Sequence, residues 1–211
     1  MMEDHEKAQL EAMKKADERA MPTRRAVLQA AIITATATAT LSALYVGAGL
    51  VTRSSKTPEN EPPQVGDLLV YATGARINQP ILTDDLPLGG PFRLAFPMDP
   101  QTKVVRSQNV NNTLLVLKLP LQSYDPKVAA HAVGGIVCYS AICTHLGCTV
   151  SDWEAGPQLM RCPCHGSIYN PRDDKVVSGP APLPLALLPI RLEGPQIVVA
   201  GAFLGPVGEQ T

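Results

Sequence analysis

The chain has no surplus of positive charge. Its 18 Lys and Arg face 19 Asp and Glu, for a formal net charge of −1, so no basic surface argues for a nucleic-acid partner. Aromatic residues make up only 4% while hydrophobic residues reach 45%. With 20 Pro and 16 Gly among 211 residues, that balance favours short strands and turns over long packed helices. There is no internal repeat, and the length suits one globular domain with one additional segment. Histidine and cysteine are scarce, at 4 and 5 residues, and no thiol is set apart as an isolated nucleophile.

What cysteine and histidine there is falls into two short stretches. The first is Cys143-Thr144-His145-Leu146-Gly147-Cys148, and the second is Cys162-Pro163-Cys164-His165-Gly166-Ser167-Ile168-Tyr169. Cys143 and His145 are separated by one residue, Cys162 and His165 by two. Each stretch can offer one thiolate and one imidazole from a tight loop. Two Cys with two His is the donor set of the [2Fe–2S] centre in which imidazoles replace thiolates on one iron. Structural zinc draws on Cys and His from knuckles two to four residues apart. Cys143-x-His145 is tighter than that, and six candidate donors exceed four positions. Two plain disulfides leave both histidines unexplained.

Both stretches resemble in full the cluster-binding motifs of the Rieske iron–sulfur proteins of quinol:cytochrome c oxidoreductases, the bc-type complexes. The match includes the extra cysteine pair that the family joins as a disulfide, here Cys148 and Cys164. Rieske ferredoxins and ring-hydroxylating oxygenases share the C-x-H and C-x-x-H cores but generally lack that pair. Gly179-Pro180-Ala181-Pro182 is similar to the family's proline loop. Phe96-Pro97-Met98-Asp99-Pro100 and the tail Phe203-Leu204-Gly205-Pro206-Val207-Gly208 resemble the Rieske subunit of the Thermus/Deinococcus kind of bacterium.

The resemblance implies an all-β Rieske fold. That is an antiparallel β-sandwich with a small inserted cluster-binding subdomain at about residues 138–183, preceded by one N-terminal transmembrane helix. It implies one [2Fe–2S] cluster ligated by Cys143, His145, Cys162 and His165. His165 and His145 become the quinol contact for proton-coupled electron transfer. Ser167 and Tyr169 become hydroxyl donors to cluster sulfur, which raise the potential by stabilising the reduced state. Leu146 becomes a docking contact and cluster shield, and Gly179 and Pro180 part of a rigid wall over the cluster. The implied partners are a cytochrome b subunit, a c-type cytochrome, quinol and the membrane, in a dimeric complex. The chain alone would complete no reaction. The second reading is the Rieske small subunit of an arsenite-oxidase-like molybdoenzyme, which oxidises no quinol.

The rest of the chain fits around these loops. Residues 1–25 form a charged N-terminal segment, with a solvated helix expected over 3–20. Arg24-Arg25 resembles a twin-arginine signal. Residues 26–51 carry no charge, a run long enough to cross a hydrocarbon core of about 30 Å. Excess Lys and Arg before that run put the N-terminus inside, and the Rieske domain therefore on the outer side of the cytoplasmic membrane. A disulfide there suits an oxidising compartment. Residues 52–65, polar with Pro62-Pro63, read as a hinge or linker. Residues 66–211 form the domain. Strands are expected at 68–71, 92–96, 113–117, 133–140, 158–161, 175–177, 186–190 and 196–200. Asp125-Pro126 opens a short helix to about His131. Cys138 reads as a buried core thiol, and Trp153 as a packing residue or a cluster shield.

Overall fold

The computed structural model describes residues 7–15, 24–25, 27–29 and 57–209. The chain divides into two units, Met1–Ser54 and Ser55–Thr211. In the first, residues 7–15 are helical and exposed, in keeping with the solvated helix expected there. The anchor expected at 26–51 lies outside the described residues except for 27–29. Among the described residues no helix is long and apolar enough to cross a membrane.

The second unit is antiparallel β. Six strands form one sheet in the order β4-β3-β2-β1-β10-β9: β1 is Leu68–Tyr71, β2 Arg93–Met98, β3 Leu114–Lys118, β4 Ile136–Ser140, β9 Ile190–Glu193 and β10 Gln196–Val199. Four short strands form a second sheet, β5 Asp152–Glu154, β6 Leu159–Arg161, β7 Ile168–Asn170 and β8 Lys175–Ser178, paired in sequence order. This small sheet is inserted between β4 and β9. The expected sandwich takes the form of one sheet bent back on itself. Residues just ahead of β9 pair with β4: Ser140 N donates to Ala186 O at 2.7 Å and Leu188 N to Cys138 O at 2.9 Å. One stretch of chain thereby joins both edges of the large sheet, which leaves few strand edges unpaired.

Alternation along the strands explains two cores. Leu114, Val116, Ile136 and Cys138 point into the bent sheet, with Leu69, Ile190, Ile197 and Val199. Leu115, Leu117, Val137 and Tyr139 point the other way, onto Met160, Cys162, Tyr169 and Leu185 of the inserted unit. β3 and β4 are thus buried on both faces, which is why they read as continuous apolar runs. The helix shortens to one turn, Pro126–Ala129, capped by the Asp125 side chain, which accepts from Lys127 N at 3.1 Å.

Three contacts fix the inserted unit from outside. Trp153 stands edge-on to Phe92, with ring centroids 6.0 Å apart, and covers Gly90, where a Cβ would lie 2.3 Å from the indole. Trp153 is therefore a packing residue between the two sheets. Gln158 donates to Gly89 O at 3.1 Å and accepts from Arg172. The tail turns back along the chain, with Leu204 N donating to Leu187 O at 2.8 Å and Gly208 lying against Ile142, the residue before Cys143.

Candidate metal centre

Two turns carry the donors, and they share one hydrogen-bond scheme. In the first, Gly147 N donates to Cys143 O at 3.0 Å and Cys143 N donates to Cys148 O at 2.8 Å. In the second, Gly166 N donates to Cys162 O at 3.0 Å and Cys162 N donates to Ser167 O at 2.9 Å. Each turn closes on a glycine with positive φ, +73° at Gly147 and +74° at Gly166, a conformation that side-chain-bearing residues adopt at a cost. The expected pair Cys148 and Cys164 is joined as a disulfide between the turns, with Cα atoms 6.6 Å apart.

Folding pairs the expected donors across the two turns. The His145 and His165 rings lie 4.7 Å apart between centroids and nearly perpendicular. Cys143 and Cys162 are free thiols, each 1% exposed, and they lie near each other. Burial is the main cause that holds the Cys162 thiol above its ordinary range. Sγ of Cys162 also lies within 4.8 Å of Cys148 and Cys164. Because those two are bonded to each other, that trio is no metal site of its own. The imidazoles differ in access: His165 is exposed, and His145 is half-buried. Leu146 is exposed at the first tip.

Hydroxyl groups line the buried side. Tyr169 OH lies 3.1 Å from Cys143 Sγ and accepts from Thr144 N at 3.3 Å. Burial pushes its phenol well up, with Cys143 adding to the effect, so the oxygen keeps its proton and can donate to sulfur. Ser167 is fully buried. Its oxygen accepts from Ala181 N at 3.2 Å, which leaves its own proton free for another acceptor. The stretch 179–183 is pressed against the second turn. Gly179, at φ +95°, would place a Cβ 2.5 Å from Ser167 Cα, so only glycine allows that approach. Pro180 is exposed beside it.

Sequence reasoning missed Thr144. Its hydroxyl donates to Leu183 O at 2.6 Å, tying the first turn to the third segment, while its N–H reaches Tyr169. Its position between Cys143 and His145 was the available signal, but its partners lie 25 and 39 residues away.

Residues 99–189 match the family model of the Rieske [2Fe-2S] domain. That match spans both turns, the disulfide and the 179–183 segment. The chain is 42% identical over 76 residues to the cytochrome b6-f complex iron-sulfur subunit of Chlorobaculum tepidum, covering 36% of this chain and 41% of that protein. It is 54% identical over 61 residues to the same subunit of Prochlorococcus marinus, covering 29% of this chain and 33% of that one. The aligned stretch thus spans less than half the length of these relatives. Among solved structures, the soluble domain of the Rieske protein II from Sulfolobus acidocaldarius aligns at 27% identity over 46% of this chain and 64% of that one, with a TM-score of 0.37.

The cofactor of the Rieske domain is one [2Fe–2S] cluster, and the residues present fit it. Nδ1 of His145 is buried and has no hydrogen-bond partner among the described residues, a costly state for a ring nitrogen unless it serves as a ligand. Two buried thiols and two convergent imidazoles supply the mixed donor set of such a centre.

Proposed function

We propose that this chain is the Rieske electron-transfer subunit of a membrane quinol:cytochrome c oxidoreductase, of the kind found in Thermus and Deinococcus relatives. The observation that carries the reading is the pair of disulfide-tied turns, with two imidazoles converging and one of them exposed. The likeness to cytochrome b6-f iron-sulfur subunits supports it.

In this reading Cys143, His145, Cys162 and His165 ligate the cluster. A bound cluster would supply one-electron transfer between quinol and a c-type cytochrome. His165 meets the quinol hydroxyl and takes its proton on the ring nitrogen turned to solvent, with His145 alongside. Ser167 and Tyr169 donate to sulfur on the buried side. Leu146, Gly179 and Pro180 shape the docking tip that faces a cytochrome b subunit. The second electron goes to that subunit, in a dimeric complex. Residues 26–51 anchor the chain in the cytoplasmic membrane, with the Arg24-Arg25 end inside and the domain outside.

The test is electron paramagnetic resonance on reduced native membranes, with and without an inhibitor of quinol oxidation. A Rieske spectrum whose shape changes with the inhibitor supports quinol chemistry. A Rieske spectrum indifferent to it shifts the reading to a molybdoenzyme subunit. No such spectrum overturns both.

A further inference from the structure

Residues 57–62 fall in the segment expected to be a linker, yet they lie against the domain through polar bonds. Arg106 is the centre of the contact, with its side chain only 6% exposed. Its guanidinium has two sides. Nε and Nη2 donate to the Asp67 carboxylate at 2.8 and 3.4 Å. Nη1 donates to Pro58 O at 2.9 Å and to Glu61 Oε2 at 2.8 Å. Three neighbours extend the seam: Gln108 N donates to Glu59 O at 3.2 Å, Asn109 Nδ2 to Asn60 O at 3.4 Å and Asn112 Nδ2 to Glu61 O at 2.6 Å.

We infer that residues 57–62 form a latch that peels from the domain as a unit while the domain stays folded. Opening loses polar bonds, those of Thr57 and Asn60 to the Gln108 side-chain oxygen among them, and little apolar burial, because the Pro58–Asn60 turn buries no residue. It strands no charge, because Arg106 keeps Asp67, itself 3% exposed; an unpaired buried ion would be the costly outcome. Water has a route to the pair through a cleft of about 220 Å³ lined by Gln64, Gly66, Asp67, Asp99, Gln101 and Arg106. The domain proper begins at Gly66, whose N–H donates to Val199 O at 2.9 Å. Segments held by few apolar contacts open at far lower cost than the core. Fully extended, residues 57–62 add about 20 Å of free chain, at roughly 3.4 Å per residue.

Amide hydrogen exchange by mass spectrometry on the full-length chain in its membranes tests the latch, independently of any quinol chemistry. Peptides spanning 57–62 and Gln108 should exchange together, at least about a hundredfold faster than those spanning β3. Glu61→Ala should speed both by about three- to fivefold and leave β3 unchanged, since the lost ion pair is half-exposed. Asn112→Ala gives a second opening of the same seam, and must accelerate the same two peptides. Exchange of 57–62 and Gln108 only in step with β3, in parent and both variants, would overturn the latch. So would acceleration of 57–62 with no change at Gln108.

Discussion

Removing one oxygen from the buried side of the site should lower its reduction potential. Tyr169→Phe keeps a ring that is 1% exposed and deletes the hydroxyl lying 3.1 Å from Cys143 Sγ. That sulfur carries more negative charge in the reduced state, so the hydrogen bond is stronger there. A bond to a neutral acceptor contributes about 1 kcal/mol and one to a charged acceptor about 2 kcal/mol. The difference of about 1 kcal/mol corresponds to roughly 40 mV for one electron, taking about 59 mV per tenfold change in equilibrium. The substitution also strands Thr144 N, which now donates to the same oxygen, at a stability cost of about 1–3 kcal/mol. A redox titration followed by circular dichroism or electron paramagnetic resonance, with a thermal melt beside it, reads both effects. A cluster that stays bound at unchanged potential would refute the donor role, whatever the melt shows.

Three further outcomes follow from the geometry. Cys148→Ser opens a bridge of sequence separation 16, which should cost about 3 kcal/mol in denaturant titration and speed loss of the cluster's visible absorbance. Gly179→Ala places a methyl 2.5 Å from Ser167 Cα at φ +95°. Overpacking together with left-handed strain should destabilise by roughly 2–4 kcal/mol in the same assay. Asp174→Asn concerns a carboxyl raised above its ordinary range by burial, with Lys127 working against the shift. A raised folded value means that ionisation costs the fold stability, so the parent loses stability as pH rises through it. The variant should melt higher than the parent at neutral pH, and the gap should close on acidification through the carboxylate range. A gap that widened in acid would reverse the sign.

The site was the most legible part of the sequence. Within each turn the donors lie two or three positions apart, so each pair was readable locally, and the resemblance joined the two pairs into one site. The apolar strands were readable for a similar reason: Leu68–Tyr71 coincides with β1, because four consecutive buried residues bounded by Gly66 leave little choice. What escaped was non-local. β5 and β7, Asp152–Glu154 and Ile168–Asn170, are three residues each and lack an apolar run; their neighbours in the small sheet hold them in place. A single strand over 186–190 was expected. Instead residues 186–188 serve β4, and β9 starts at Ile190, after Pro189, which has no N–H to carry a ladder across. The linker expectation at 52–65 rested on composition. Composition could not show that Arg106, 45 residues beyond Glu61, binds part of that segment.

The two ligand turns have a consequence for engineering. Each closes cysteine to glycine four residues on and to a carbonyl five residues on; they differ in which middle position holds the imidazole. One enclosed ring and one open ring therefore come from a single template used twice, offset by one residue. A designer who wished to transplant the site would need two neighbouring hairpin tips, one covalent tie between them, and a roof like 179–183. Any sheet put beneath them would have to offer the apolar face that Leu115, Leu117, Val137 and Tyr139 give the inserted unit here.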